Sequence, residues 1–158
     1  MTVASGVRSA APAGPSDVEG QQQDSTTWRW LQFLGLLGLC AAYLQGGLNK
    51  LVDFPGAVAE AAHFGLPFPP VTAAATILVE LAASGLILSG RLRWLGALVL
   101  CAFTLAATII ANRYWDLPNG QERFMTANSF YEHLGLAGAF LLVALWDRRD
   151  ATTRMGRH

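Results

Sequence analysis

Residues Ile77–Gly90 read ILVELAASGLILSG, an apolar run with one carboxylate, Glu80, set inside it. The apolar character extends from Pro70 to Ser89. That length is close to the roughly 20 residues a helix needs to cross about 30 Å of hydrocarbon. A charged group there would cost roughly 2.5–3.5 kcal/mol on insertion scales, so Glu80 should face other helices or carry a proton. The fold therefore turns on whether this run stands alone or belongs to a set.

It belongs to a set. Three further apolar blocks run from Trp28 to Leu48, from Trp94 to Ala111 and from Ser129 to Trp146. None carries a polar face at helical spacing, which a soluble bundle would require. Lipid offers no partner to backbone amides, so isolated apolar blocks must be helical. Trp28, Trp30, Trp94 and Trp146 stand at block ends, where amphipathic rings anchor in the headgroup layer. The expected fold is an all-α integral membrane four-helix bundle spanning residues 28–147 in a lipid bilayer.

Composition agrees. The chain is 53% hydrophobic and 14% charged, against about 25% charged in soluble domains. Net charge is zero, and nothing forms the basic patch that nucleic acid requires. Cys40 and Cys101 lie far apart inside apolar runs, so neither a disulfide framework nor a metal site is expected. Residues 1–27 are rich in Ala, Ser, Gly, Pro and Gln, and we expect a disordered tail there. It has no apolar core between a basic start and a cleavage site, so it does not read as a signal peptide. Residues 148–158 form a short basic tail.

Basic residues set the orientation. With four spans, both termini and the 90–93 turn share one side. That side holds Arg8, Arg29, Arg91, Arg93, Arg148, Arg149, Arg154 and Arg157, against Lys50, Arg113 and Arg123 on the other. The positive-inside rule then places both termini in the cytoplasm. Of the two outer loops, the first contains Ala57–Phe64, able to form an interfacial helix started near Pro55 and stopped by Gly65 and Pro67. The second, 112–128, carries Tyr114, Trp115 and Phe124 and a turn at Pro118–Gly120. Small residues recur at Gly38, Ala42 and Gly46, at Ala102 and Ala106, and at Gly135 and Ala139. They are expected to let helices approach closely, within one bundle or in a homo-oligomer.

Glu80 is an intramembrane acid, and such a group is a functional candidate by default. Counting depth at about 1.5 Å per residue puts Thr104 level with Glu80 and His133 about 6 Å farther out. Those two rank as its expected partners, with Gln45 beyond them. Gln45, Asn49, Lys50, Asn112, Arg113, Glu132 and His133 gather at the outer ends of the spans. Together they suggest a polar funnel opening outward. Lys50 and Arg113 would attract an anion. The plain alternative is that Lys50, Arg113 and Glu132 are snorkelling ends paired with nearby charges. A Glu80–His133 pair suits proton exchange or hydrogen bonding to a quinone carbonyl. Two-histidine metal or haem ligation is not expected, because His133 is the lone histidine within a span.

Three stretches carry a family resemblance: LQGGLNKLVDFPGAVAEAAHFGLPFPP (44–70), AATILVELAASGLILSGRLRWLGALVLCAFTLAATI (74–109) and FYEHLGLAGAFLLVALW (130–146). Over residues 30–147 the chain resembles the DoxX family of small four-span membrane proteins, the pattern resting on Gly47, Lys50, Glu80 and Arg93. It departs at Glu132-His133, where many relatives show Lys-Asn. The resemblance implies a bacterial inner-membrane protein associated with oxidoreductase or thiol systems. The expected role is an accessory subunit of a quinone- or sulfur-linked membrane redox system. A non-catalytic anchor for soluble redox partners and a small-molecule or proton pathway stay open beside it. No cofactor signature lies in the chain itself, so a stand-alone enzyme is not expected, and fold alone does not fix activity.

Overall fold

The computed structural model describes the backbone of residues 15–155 and the side chains of residues 26–149. Of the segments read as tails, residues 1–14 and 156–158 lie outside the described residues. Among the described residues every regular element is helical: α1 (Pro15–Val52), α2 (Phe54–His63), α3 (Pro69–Ser89), α4 (Arg93–Ala111) and α5 (Gln121–Met155), with a 3₁₀ turn at Tyr114–Asp116. Four of them hold stretches long and apolar enough to cross a membrane: Thr26–Val52, Pro69–Ser89, Arg93–Asp116 and Gln121–Arg149. A lipid bilayer is therefore the environment of this fold.

Residues through Gly35 and residues from Leu36 onward form two compact units. The first is the early part of α1, where Trp28 and Trp30 are exposed and Trp30 meets Phe33 edge to face. The second is the bundle.

Its core joins Leu36, Cys40 and Tyr43 of α1, Ala83 and Ile87 of α3, Ala97 and Leu100 of α4, and Phe140 and Ala144 of α5. Their spacings of three and four residues are those of one helical face. The remaining faces expose Leu78, Ile109 and Leu142, as lipid-facing helices do. Because lipid is as apolar as these side chains, close packing and interhelical hydrogen bonds hold the helices together.

Close packing falls on Gly46 of the repeat, against Glu80, and otherwise on glycines outside it. A Cβ at Gly96 would sit 2.6 Å from the Ala83 carbonyl oxygen, and one at Gly47 would sit 2.8 Å from Leu81 Cδ2. These glycines let α4 and α1 approach α3. A methyl group added at Gly38 or Gly135 would meet nothing within 4 Å, and Ala42, Ala102 and Ala106 are exposed. A four-residue repeat fixes a stripe, but only tertiary packing decides which side of the helix that stripe occupies.

Local chemistry sets the helix ends. Asp53 caps α2 by accepting from the Gly56 amide at 3.0 Å, with Pro55 in the first turn. The helix thus begins at Phe54 rather than Ala57. It is closed off by Gly65, whose φ of 67° suits glycine. Gly90 (φ 73°) closes α3. α5 starts at Gln121, two turns before the apolar block at Ser129. Helical backbone needs no apolar side chains outside hydrocarbon. The 3₁₀ turn is held against α5 by ring contacts of Tyr114 and Trp115 with Phe130, at 5.5 and 5.8 Å.

At the other end of the bundle the Trp94 amide donates to Asp147 Oδ2 at 3.1 Å. Arg148 lies over the Trp94 ring at 4.7 Å, a cation–π contact. An acid on α5 thus caps the first turn of α4, where unpaired amides and the helix dipole favour a negative group.

Candidate functional site

α3 carries Glu80 and Ser84 one turn apart, both facing the bundle and both buried. Spacing of four places them on one face. From α1, Lys50 Nζ donates to Glu80 Oε1 at 3.5 Å. Glu80 is 6% exposed, and the Lys50 side chain is 22% exposed. The lysine thus reaches from the end of α1 toward mid-span with its ammonium partly in contact with the surroundings. Gly46, one turn before Lys50, makes room: a Cβ there would lie 3.4 Å from Glu80 Oε2 and 3.5 Å from Lys50 Nζ.

Two buried atoms in this region, Glu80 Oε2 and Ser84 Oγ, have no hydrogen-bond partner among the described residues. Buried polar side-chain atoms are nearly always bonded, which makes these two the candidates for a functional site. The polar neighbour of Ser84 is the Cys40 thiol, a weak hydrogen-bonding group. Charge reaches Glu80 from Lys50 and, to a smaller extent, from Glu60 of α2.

Beside the ion pair lies a neutral tie between α1 and α4. Tyr43 OH and Thr104 Oγ1 are 2.6 Å apart, and Thr104 Oγ1 donates to the Leu100 carbonyl at 2.5 Å. Thr104 has one hydroxyl hydrogen and spends it on Leu100, so Tyr43 must be the donor. One turn on, Asn112 Nδ2 donates to Thr108 Oγ1 at 3.1 Å.

Of the residues ranked from sequence, the structure joins only Lys50 and Glu80. His133 is not the partner of Glu80: its Nδ1 bonds the Ser129 carbonyl of its own helix at 2.7 Å. Thr104 is engaged by Tyr43 instead of Glu80. Arg113 pairs locally with Asp116 at 2.6 Å, both half-exposed, and Gln45 and Glu132 are exposed. Depth alone selected the expected partners, and depth ignores rotation about the helix axis. Reading by face finds the rest. Tyr43 and Lys50 are seven apart, Glu80 and Ser84 four apart, and Thr104, Thr108 and Asn112 repeat at four.

Among the described residues no three His, Cys, Asp or Glu side chains gather as a metal-binding group. An open apolar groove runs along α3, lined by Leu51, Phe54, Ile77, Leu78, Leu81 and Ala82; Lys50 and Glu80 are not among its lining residues.

Known proteins supply the remaining comparison. The DoxX family model matches residues 32–113, which include Lys50, Glu80 and the Arg91–Arg93 turn. The Escherichia coli (strain K12) protein named Inner membrane protein YphA is 28% identical over 115 residues, covering 73% of this chain and 81% of YphA. No solved structure matches the chain. With the family model covering just over half of the 158 residues and four membrane-length helices around the matched segment, the chain belongs to the DoxX family.

Proposed function

We propose that this protein is a multi-pass inner-membrane subunit of a redox system. In this reading both termini lie in the cytoplasm and the Lys50–Glu80 pair exchanges the protons that accompany electron transfer. The observation that carries it is the buried pair itself: Glu80 holds Lys50 with one oxygen at 3.5 Å while its other oxygen has no partner among the described residues. An intramembrane acid with a free acceptor atom is suited to take a proton or a hydrogen bond. Support for the inner membrane comes from the name of YphA. Support for the orientation comes from Arg91, Arg93, Arg148 and Arg149 at one end of the bundle.

The donor and acceptor chemistry of the pair supports a quinone head group as its ligand. Glu80 Oε2 is an acceptor and Lys50 Nζ a donor of the kind that quinol hydroxyls and quinone carbonyls bind. A bound quinone would supply two-electron, two-proton chemistry. The chain's own residues would orient the head group and hold a proton on the Glu80 carboxyl. Arg113 and His133 have local partners, which favours Lys50 and Glu80 over them as the working residues.

A second reading is a non-catalytic anchor for soluble redox partners, or for a homo-oligomer. It is favoured by the Lys50–Glu80 and Tyr43–Thr104 ties between helices and by Gly38 and Ala42 facing outward. Glu80→Gln separates the two, because it keeps hydrogen bonding and abolishes proton exchange. We expect the protein to co-purify from native membranes with quinone and a redox partner, and Glu80→Gln to stop coupled turnover with the fold intact. Full turnover in Glu80→Gln would leave the anchor reading.

A further inference from the structure

Polar side chains in the bundle interior are confined to one part of its length. Entered from the end closed by Lys50 and Asn112, the interior presents Thr108, then Glu80 with the Tyr43–Thr104 pair, then Ser84 beside Cys40. Gly96 packs onto the Ala83–Ile87 turn, so Ala97 stands at the level of Ser84. At and beyond that level the buried side chains are Leu36, Ile87, Ala97 and Ala144, all apolar, and the half-buried Arg93 is held at the end by donating to the Ile87 carbonyl at 3.1 Å. The Trp94–Asp147 cap closes α4 onto α5 over them. A proton route needs successive groups within hydrogen-bond reach or joined by one water. Four packed aliphatic side chains supply none, and a pocket without polar partners does not hold water.

We infer that the Lys50–Glu80–Ser84 seam is blind: it takes a proton, or a small hydrogen-bond donor, from the Lys50 end and passes nothing to the end that bears Arg91 and Arg93. The inference rests on the proton-exchange reading above and removes a transmembrane proton pathway from the alternatives. Lys50 is the gatepost, since its partly exposed ammonium is the charged group between Glu80 and the surroundings. Ser84, fully buried with only the Cys40 thiol as its polar neighbour among the described residues, is the closed end. The groups acting on the Glu80 charge are Lys50 from α1 and Glu60 from α2. α1 adds the neutral Tyr43 and Cys40, α4 presents Thr104 and Thr108, and α5 presents Ala137 and Phe140.

Infrared difference spectroscopy on the purified full-length protein tests the first half. A carboxylic C=O band that titrates with pH and vanishes in Glu80→Gln is expected. A protein with no such band overturns proton exchange, and this inference with it. Proteoliposomes loaded with a pH-sensitive dye test the second half. Under an imposed potential the wild-type chain should pass protons no faster than empty vesicles. With the protein inserted in one orientation, an external pH jump should move the band promptly only when the Lys50 end faces out. Glu80-dependent proton flux in the wild type, or a prompt response from the Arg91 end, would overturn blindness and leave proton exchange standing.

Discussion

Lys50 and Glu80, thirty residues apart in the chain, meet at 3.5 Å inside the bundle, with Glu80 almost wholly buried and one carboxylate oxygen free among the described residues. The contact ties α1 to α3 where Gly46 and Gly47 allow the helices to close. Breaking a buried ion pair by removing one member leaves the other uncompensated and costs about 3–5 kcal/mol. Because Lys50 is partly exposed, Lys50→Ala should fall toward the low end of that range and Glu80→Gln below it. Thermal unfolding in detergent checks the order. A Lys50→Met/Glu80→Leu double variant should recover most of the loss, and no recovery would mean that the pair is not a coupled unit.

Tyr43 donates to Thr104, whose own hydrogen goes to Leu100. Interhelical hydrogen bonds within membranes average about 0.6 kcal/mol and reach about 1.7. Tyr43→Phe should cost about that much. Thr104→Val should cost somewhat more, since it strands the buried Tyr43 hydroxyl. A double-mutant cycle should show positive coupling, and strict additivity would sever the proposed tie.

The glycines divide into contact and outward positions. Gly96→Ala would drive a methyl into the Ala83 carbonyl, and such overpacking costs about 1–3 kcal/mol. Gly38→Ala meets open space and should be neutral or, through helix propensity, stabilising by up to about 1 kcal/mol. The opposite ranking in a melting experiment would place α4 and α3 farther apart than this contact requires.

Asp147 caps a helix other than its own. Asp147→Ala should lower stability by about 0.5–2 kcal/mol, the usual worth of an N-cap, and Asp147→Asn should retain most of it. Hydrogen exchange should then accelerate at the first amides of α4, and at Trp94 above all. Unchanged protection at Trp94 would deny the cap.

The sequence alone determined the membrane fold. Four apolar blocks of spanning length, tryptophans at their ends and no polar stripe admit one architecture, because unpaired backbone amides cannot be left in lipid. It also marked Glu80 as costly and the DoxX pattern through Gly47, Lys50, Glu80 and Arg93. The small helix α2 was legible from Pro55, Gly65 and Pro67, though its Asp53 cap moved the start by a turn. Tertiary structure alone decided which residues meet. Residues can share a depth and still face apart, so His133 bonds its own helix while Lys50 reaches Glu80. The outward turn of Gly38 and the inward turn of Gly47 were settled the same way. The rotation of each helix is fixed by how whole side-chain faces pack against its neighbours, and a linear count along one chain carries no record of that.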